Sequence, residues 1–354
     1  MSKVDEYQEI NNLLNEFIQS IHFYEKDEAC TFYEHLKDID TSQLDQATLD
    51  KLELYTFRYY TFIHDYSNAL EIMNKLHTRY DSMDEEDQIL FNTYEGIYKV
   101  SHEDIEIGIG IFQKIIDEYD DLPGIVKSDL YYHLCWGYVY LDDYKRSVVF
   151  GNKALDLYLG EFNLLRIIYT QMLLAISHLN LGFYNEAEDI YKHLIRNTKI
   201  LRLNKLLPHI EYNQIAALVK AGNYSKAIKN TQNLLKTLDK DEELYIKTLL
   251  SLAEAKIMNR ELSDIEELIE LVKERSSRKQ AFEKYELLSN YYERKLASEY
   301  DAYKYLIDKL APYLLKNKEK KLLLDLTRMM GDYFIKQRNY ELASNYYELN
   351  LSLN

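Results

Sequence analysis

Two stretches of the chain repeat one another and decide its fold. Residues 212–235 read YNQIAALVKAGNYSKAIKNTQNLL, and residues 172–195 read MLLAISHLNLGFYNEAEDIYKHLI. In both, a run of apolar residues at helical spacing ends at a glycine, and a second run begins two residues later with a tyrosine. Three residues after that tyrosine stands an alanine, Ala187 or Ala227, which lets two helices approach closely. Each stretch therefore predicts a helix–turn–helix pair.

The same landmark, an aromatic residue followed three residues later by a small one, recurs at Tyr144/Ser147 and Tyr340/Ala343, and more weakly at Tyr66/Ala69. The positions of the small residue fall at Ala69, Gly108, Ser147, Ala187, Ala227, Ile265, a place near Tyr303, and Ala343. Neighbouring positions are 38 to 40 residues apart if the unit near Tyr303, in which the landmark is degenerate, is counted. This regularity predicts an all-α, right-handed superhelical solenoid of about eight helix pairs with a step near 39 residues.

These units resemble the tetratricopeptide repeat, whose standard length of about 34 residues is shorter, so longer helices are expected here. The resemblance covers roughly residues 50–354. Residues 1–45 are expected to form an additional N-terminal helix pair, which leaves 46–354 for the repeat array. The residues that match the repeat pattern most clearly are Leu134, Cys135, Tyr138, Tyr144, Ser147 and Ala154 in one unit and Gly331, Phe334, Tyr340, Ala343 and Tyr347 in another.

Composition supports an all-helical chain and excludes several classes of protein. The 354 residues include 10 Gly and 3 Pro, whereas average usage would give about 42 together, so a β-rich or doubly wound α/β fold is not expected. Two cysteines, an acidic start and the lack of a long apolar window predict a cytoplasmic chain that does not enter a membrane. The net charge of −16 argues against nucleic-acid binding, and the short basic clusters at 273–279 and 316–321 lie among glutamates.

The sequence lacks the motifs of catalysis and of metal or cofactor binding. None of the nine histidines belongs to an HExxH motif, and neither cysteine has a CxxC partner. The segment Gly108-Ile109-Gly110 lacks the third glycine of a dinucleotide site, because Gln113 occupies its place. We therefore expect no catalytic residues, no metal and no cofactor.

Ligand-contacting residues are predicted from fixed offsets before the landmark, because the first helices of a solenoid line its concave side. These positions combine aromatic residues with amides, hydroxyls and charges, which suits an extended peptide. Packing against a neighbouring helix is an equally good interpretation for each aromatic residue, and a tryptophan is more often part of a core. The predicted peptide-binding residues are Tyr132, His133, Trp136, Tyr140, Tyr169, Met172, Ile176, His209, Tyr212, Asn213, Lys220 and Glu254.

A large acidic array with a step near 40 residues, rich in tyrosine, lysine and asparagine, resembles the Gram-positive quorum-sensing receptors of the RRNPP group. In Rap-type members an asparagine nine residues before the turn glycine holds the pheromone backbone, and Asn213 and Gly222 have this spacing. The resemblance implies a cytoplasmic receptor that binds a short signalling peptide and regulates a partner protein or transcription. Arrays of this kind often form homodimers. Many members begin with a DNA-binding helix-turn-helix domain, which the acidic first 45 residues do not predict here.

Two alternatives remain open from the sequence. The first is a general scaffold whose groove holds a protein tail, for which Asn213 and Lys220 are the main candidate contacts. The second is a Rap-like, phosphatase-type regulator of a response regulator, which the resemblance implies would use a glutamine. Four glutamines are available near the start of the chain, and nothing distinguishes among Gln8, Gln19, Gln43 and Gln46.

Overall fold

The computed structural model describes residues 3–119, 121–317 and 319–353, and this described part contains helices and turns but no strand. The predicted all-α class is therefore confirmed. The chain forms two compact units, Met1–Ile190 (unit 1) and Tyr191–Asn354 (unit 2). None of the described helices combines the length and the apolar character that crossing a bilayer requires.

Helices follow one another as pairs joined by short turns. The helices of unit 1 are α1 (Lys3–His22), α2 (Lys26–Lys37), α3 (Gln46–Phe62), α4 (Tyr66–His77), α5 (Glu85–Tyr98), α6 (Ile105–Glu118), α7 (Gly124–Tyr140), α8 (Tyr144–Gly160) and α9 (Leu164–Asn180), and α10 (Tyr184–Ile200) contains the boundary between the units. The helices of unit 2 are α11 (Leu207–Lys220), α12 (Tyr224–Leu235), α13 (Glu243–Asn259), α14 (Ile265–Ser276), α15 (Glu283–Ala297), α16 (Glu299–Tyr305), α17 (Ala311–Lys316), α18 (Lys320–Lys336) and α19 (Tyr340–Leu353). A π-helical turn, Leu306–Leu310, joins α16 to α17, so within the described residues eight pairs follow the first, as the repeat pattern predicts.

Polar residues in the turns fix where the next helix begins. The Asp65 carboxylate accepts a hydrogen bond from the backbone N–H of Asn68 at 3.3 Å at the start of α4. The Asp143 carboxylate accepts from the N–H of Arg146 at 3.0 Å at the start of α8. Such caps satisfy N–H groups that have no partner within the helix, which explains why helices begin after these residues.

A residue in the left-handed backbone conformation ends many of the first helices. Gly182 and Gly222 have φ values of 86° and 74°, which explains the glycines that mark the predicted turns. Other residues adopt the same conformation without a glycine, and these are Tyr24, His64, Asp142, Phe162, Arg202, Arg260 and Arg338. Glycine therefore marks only some of the turns, and the aromatic–small landmark is the more general signal.

The small landmark residues lie buried at the fourth position of the second helices. Ala69 and Ala227 are 0% exposed. At Gly108 a Cβ atom would lie 2.7 Å from the Gly96 carbonyl oxygen and 2.8 Å from the Val100 backbone nitrogen. A small side chain is thus required because the backbones of successive helices approach closely at this position.

In two repeats the structure places the small landmark position at a different residue from the one that the spacing predicts. Ile265 is the first residue of α14, and the fourth position is Leu268, which is 9% exposed. In the degenerate unit the fourth position of α16 is the fully buried Ala302, next to the predicted Tyr303. The last three steps are therefore 41, 34 and 41 residues. The prediction failed here because α14 begins with isoleucine and α16 with Glu299, so no aromatic residue marked the register.

The first helix pair packs into the core of unit 1. Phe17 of α1 is 0% exposed and its ring centroid lies 5.5 Å from that of Tyr59 in α3. Ala29, the fourth residue of α2, is also 0% exposed, so the first pair carries the small residue of the landmark. The predicted division between residues 45 and 46 stays a prediction.

Candidate ligand-binding cavities

One cavity, of about 230 Å³, lies within unit 1. Its walls come mainly from the first helices α3, α5, α7 and α9, and we name it cavity A. The residues that line cavity A are Tyr24, Arg58, Thr61, Phe62, His64, Ile97, Ser101, Tyr132, His133, Trp136 and Arg166. The cavity thus joins aromatic surface to two guanidinium groups.

Both arginines of cavity A are buried against one carboxylate. Arg58 is 3% and Arg166 is 1% exposed. The Nη2 atoms of Arg58 and Arg166 lie 3.7 Å and 3.6 Å from the carboxylate oxygens of Asp129. The Arg166 guanidinium also contacts two rings, and it lies 5.1 Å from the centroid of Tyr24 and 4.8 Å from that of Tyr132. These contacts hold the guanidinium at the cavity wall.

Asp129 is held ionised by its neighbours. Burial alone would raise the pKa of its carboxyl, but the charges of Arg166 and His22 hold that pKa well below its usual range. The Tyr158 hydroxyl donates to Asp129 at 3.0 Å. Burial would lower the pKa of His22, and hydrogen bonding and charge from Asp129 and Glu161 raise it instead; His22 Nε2 lies 2.7 Å from Glu161 Oε2. The two arginines that line cavity A therefore belong to a connected ionic network.

The charge beside cavity A is positive in sum. Two guanidinium groups, Arg58 and Arg166, contact the single carboxylate of Asp129. The Nη2 atom of Arg166 is buried and makes no hydrogen bond within the described part of the chain. An unsatisfied buried donor favours a ligand that accepts a hydrogen bond. Cavity A is therefore suited to an anionic or carbonyl group of a ligand.

A second cavity, of about 330 Å³, lies within unit 2. Its walls come from α11, α13, α15 and α18, and we name it cavity B. The residues that line cavity B are Tyr212, Lys247, Leu250, Ser251, Glu254, Lys284, Tyr285, Leu288, Tyr292, Glu319, Leu322, Asp325, Leu326 and Met329. This volume lies at the lower end of the range of small-molecule pockets.

The carboxyl group of Glu254 is the polar centre of cavity B. Burial raises its pKa to about 7, and a hydrogen bond from the Tyr292 hydroxyl opposes that rise only in part. On a neighbouring wall the Tyr212 hydroxyl hydrogen-bonds with Ser251. Cavity B therefore places one carboxyl group that titrates near neutrality among tyrosine hydroxyls and aliphatic side chains.

Sequence comparison finds two regulatory proteins, although no protein-family model matches the chain. The transcriptional activator NprA of Geobacillus stearothermophilus is 22% identical over 334 residues, which cover 92% of this chain and 82% of NprA. The regulatory protein RapD of Bacillus subtilis (strain 168) is 22% identical over 205 residues, which cover 57% of this chain and 58% of RapD.

Structure comparison finds the quorum sensor NprR. The apo form of NprR from B. thuringiensis matches with a TM-score of 0.76 at 22% identity, covering 98% of this chain and 99% of NprR. NprR in complex with its cognate peptide NprX matches with a TM-score of 0.67 at 21% identity, with 98% of both chains covered. This chain is therefore similar in sequence to NprA and RapD and in fold to NprR. The resemblance that the repeat length and the residues 213 and 222 indicate is confirmed in sequence and in fold.

Three of the residues predicted in unit 1 line cavity A, namely Tyr132, His133 and Trp136. His133 is buried, and burial lowers its pKa to about 3, so its neutral ring donates from Nδ1 to a helix carbonyl at 2.7 Å. Tyr169 lies beside the cavity, with its ring centroid 4.9 Å from that of Tyr24. The offsets from the landmark therefore bring four predicted residues to one place.

The other predicted residues of unit 1 do not line cavity A. Tyr140 is 52% exposed, and its ring centroid lies 4.7 Å from that of Trp136. Met172 and Ile176 are half-buried on α9, and Ile176 packs against a small core cluster that includes Cys135. Core packing is thus the observed role of Ile176.

In unit 2 Tyr212 and Glu254 meet at cavity B. Lys220 lies next to it, because its Nζ atom is 3.8 Å from the carboxylate of Asp325, which lines the cavity. His209 is exposed on the first turn of α11 and does not line cavity B. The predicted set in unit 2 is therefore divided between the cavity and its surroundings.

Asn213 is half-buried on α11 and does not line cavity B, although its neighbour Tyr212 does. The next residue, Gln214, is buried and accepts a hydrogen bond from Asn230 at 3.3 Å. Asn213 therefore lies between the face of α11 that borders cavity B and the face that packs on α12. Its contact with a peptide backbone stays a prediction.

Sequence reasoning missed the ionic network of cavity A. Arg58 lies within the run YTFRYYTF at residues 55–62, and a charged residue inside an aromatic run is the signal that could have identified it. Arg166 and Asp129 gave no such signal, because their partners are far apart along the chain. In the described part of the chain no group of three or more histidine, cysteine, aspartate or glutamate side chains is placed to hold a metal ion.

Proposed function

We propose that this chain is a cytoplasmic receptor that binds a short signalling peptide and thereby regulates a partner protein or transcription. The observation that carries the proposal is cavity B, where the predicted residues Tyr212 and Glu254 meet in one recess. Its wall combines aliphatic surface with hydroxyl and carboxyl groups. Side-chain pockets of this kind give a peptide-binding surface its specificity.

The comparisons support the same proposal. NprR, which shares the fold, binds its cognate peptide NprX. The two curated relatives are named as a transcriptional activator and a regulatory protein, so a regulatory role without catalysis by this chain is the natural extension. Regulation then requires that peptide binding and partner binding are coupled through a change in the chain.

Binding of synthetic peptides tests the proposal. Pools of short peptides are screened by thermal shift, because a ligand at 100 times its Kd stabilises the native state by about 2.7 kcal/mol. Titration of a pool that shifts the melting then gives its affinity. Saturable binding is expected, and a chain that binds none of the pools would contradict the proposal.

Asn213→Ala tests the predicted contact with the peptide backbone. Loss of one such hydrogen bond is expected to cost about 1–3 kcal/mol, or roughly 5- to 150-fold in affinity. Asn204→Ala is the matched control, because Asn204 is exposed in the turn between α10 and α11. Equal affinities of the two variants would show that Asn213 does not contact the peptide.

Rap-like control of a response regulator is the second candidate, favoured by the similarity to RapD over 57% of the chain. Such a regulator would speed the loss of phosphate from a phosphorylated response regulator. A scaffold that only holds a protein tail would leave that rate unchanged and would bind its partner without any peptide. Incubation of the chain with a phosphorylated response regulator, with and without a bound peptide, distinguishes the two.

A further inference from the structure

The wall of cavity B contains a carboxyl group that has no cation beside it. Among the described residues Glu254 forms no ion pair, and its hydrogen-bond partner is the hydroxyl of Tyr292. Removing a carboxylate from water is costly unless a cation or several donors replace the water. The side chain therefore lacks the counter-ion that would stabilise its charged form.

The two lysines of cavity B already have carboxylate partners. Lys284 Nζ lies 2.8 Å from Glu319 Oε1. Lys247 Nζ lies 3.1 Å from Glu243 Oε1, one turn earlier on α13. Neither lysine is available to Glu254 without breaking an existing pair. Both lysines are thus engaged with other carboxylates, and a basic group of a ligand would give Glu254 a cation of its own.

The rest of the wall is suited to the stem of a long basic side chain. Aliphatic residues from three helices surround the recess, and these are Leu250, Leu288, Leu322, Leu326 and Met329. Lysine and arginine side chains bury their methylene stems against such surface while the charged end reaches a polar group. The volume of about 330 Å³ has room for one such side chain.

We propose that cavity B is a subsite for a lysine or arginine side chain of the peptide ligand, with Glu254 as its counter-ion. The proposal rests on the proposed function, because it requires that the ligand is a peptide. The basic group enters between the aliphatic walls, and its positive charge replaces the missing partner of the carboxylate. A neutral side chain of the same length gains the apolar contact alone.

Binding at this subsite depends on pH. Burial raises the pKa of Glu254 to about 7, so its carboxyl is mostly protonated at pH 6 and mostly ionised at pH 8. The ionised form binds a cation, and the affinity for a basic peptide therefore rises about tenfold between these two pH values. The other titratable groups that face the cavity from its four helices are Tyr212, Lys247, Lys284, Tyr285, Tyr292, Glu319 and Asp325.

The test compares hexapeptide pools that carry lysine at one fixed position with pools that carry norleucine there, because norleucine has the same stem without the charge. At least one lysine pool is expected to bind wild-type protein about tenfold more tightly than its norleucine counterpart at pH 8. Glu254→Gln is expected to abolish both this preference and its pH dependence. Glu267→Gln, an exposed position on α14, is the matched control and should behave as wild type.

The outcomes separate this proposal from the proposed function. Saturable binding without preference for lysine or arginine pools, or with a preference that Glu254→Gln leaves intact, overturns the basic subsite and leaves the peptide receptor standing. Absence of saturable binding by any pool to any of the three proteins overturns the receptor, and the subsite with it.

Discussion

Asp129 is the shared counter-ion of two buried arginines of unit 1, and its removal is expected to lower the stability of the folded chain. Its carboxylate lies 3.6 to 3.7 Å from the guanidinium groups of Arg166 and Arg58. Asp129→Asn leaves both charges buried without an anion, so we expect the free energy of unfolding to fall by about 3–5 kcal/mol. Urea denaturation followed by circular dichroism measures this loss.

Glu161→Gln is the control for that prediction. Glu161 contacts the same network through His22, but its side chain is 24% exposed and water can replace the lost charge. A loss below about 1 kcal/mol is expected. A loss for Asp129→Asn that is also below about 1 kcal/mol would show that the arginines do not depend on Asp129.

Glu254 makes the stability of the empty protein depend on pH. Its pKa is raised from 4.5 to about 7 in the folded chain, so the folded state holds a proton that the unfolded state releases. The stabilisation is complete below pH 4.5 and is lost as the pH rises to about 7, by at most about 3 kcal/mol.

The pH dependence of the urea midpoint tests this assignment. Between pH 5 and pH 8 the midpoint of wild-type protein should decline more steeply than that of Glu254→Gln, because glutamine does not titrate. Asp87 has a pKa raised to about 6 and contributes a decline of the same sign to both proteins, so the difference between the curves isolates Glu254. Parallel curves would show that the Glu254 carboxyl is ionised in the folded chain.

The repeat register predicts which face of a helix a residue lies on, and it places some predicted residues at the cavities. Their contact with a ligand stays a prediction. Counting back from the landmark identified Tyr132 and Trp136 at cavity A and Tyr212 and Glu254 at cavity B, because equivalent positions of first helices face the same way. It could not find Arg166. This arginine pairs with the carboxylate of Asp129, which also pairs with Arg58, and the three residues belong to separate repeats. Such pairings depend on tertiary packing, which periodicity does not encode.

At the level of the helices, replacing Gly108 or Gly110 of α6 by alanine is expected to change the stability of the chain in opposite directions. A Cβ at Gly108 would lie 2.4 Å from Val100 Cγ2, and within 3 Å of the Gly96 carbonyl oxygen in α5 and of the Val100 backbone nitrogen just after α5. Gly108→Ala is therefore expected to destabilise the chain by about 1–3 kcal/mol. At Gly110 nothing lies within 4 Å, so Gly110→Ala should stabilise the helix by about 0.5–1 kcal/mol.

Thermal melting of these two variants, made in the same helix, separates packing from helix propensity. A lower midpoint for Gly108→Ala and a higher one for Gly110→Ala is the expected result. A midpoint of Gly108→Ala at or above that of wild type would contradict the close approach of α5 and α6. The same packing rule explains the degenerate unit, where Ala302 keeps the small position although the aromatic residue is lost.

At the scale of the whole molecule, composition alone predicted the fold class correctly. Few glycines and prolines leave long helices as the main option, and the regular spacing of small residues requires repeated pairs. Composition could not show that the chain forms two compact units, because the boundary at residues 190 and 191 lies inside α10. A boundary within a helix leaves no linker for sequence reasoning to detect.

The distribution of charge predicts that this chain does not bind DNA directly. The basic cluster at 273–279 is neutralised within unit 2, where Lys273 lies 2.8 Å from Glu293 and Arg278 lies 2.6 Å from Glu274. With a net charge of −16, few cations are available to release counter-ions from a duplex. Fluorescence anisotropy with a labelled duplex at about 50 mM salt should therefore show no binding in the micromolar range. Binding that weakens steeply with added salt would contradict this prediction and would identify transcription, through this chain itself, as the output of the receptor.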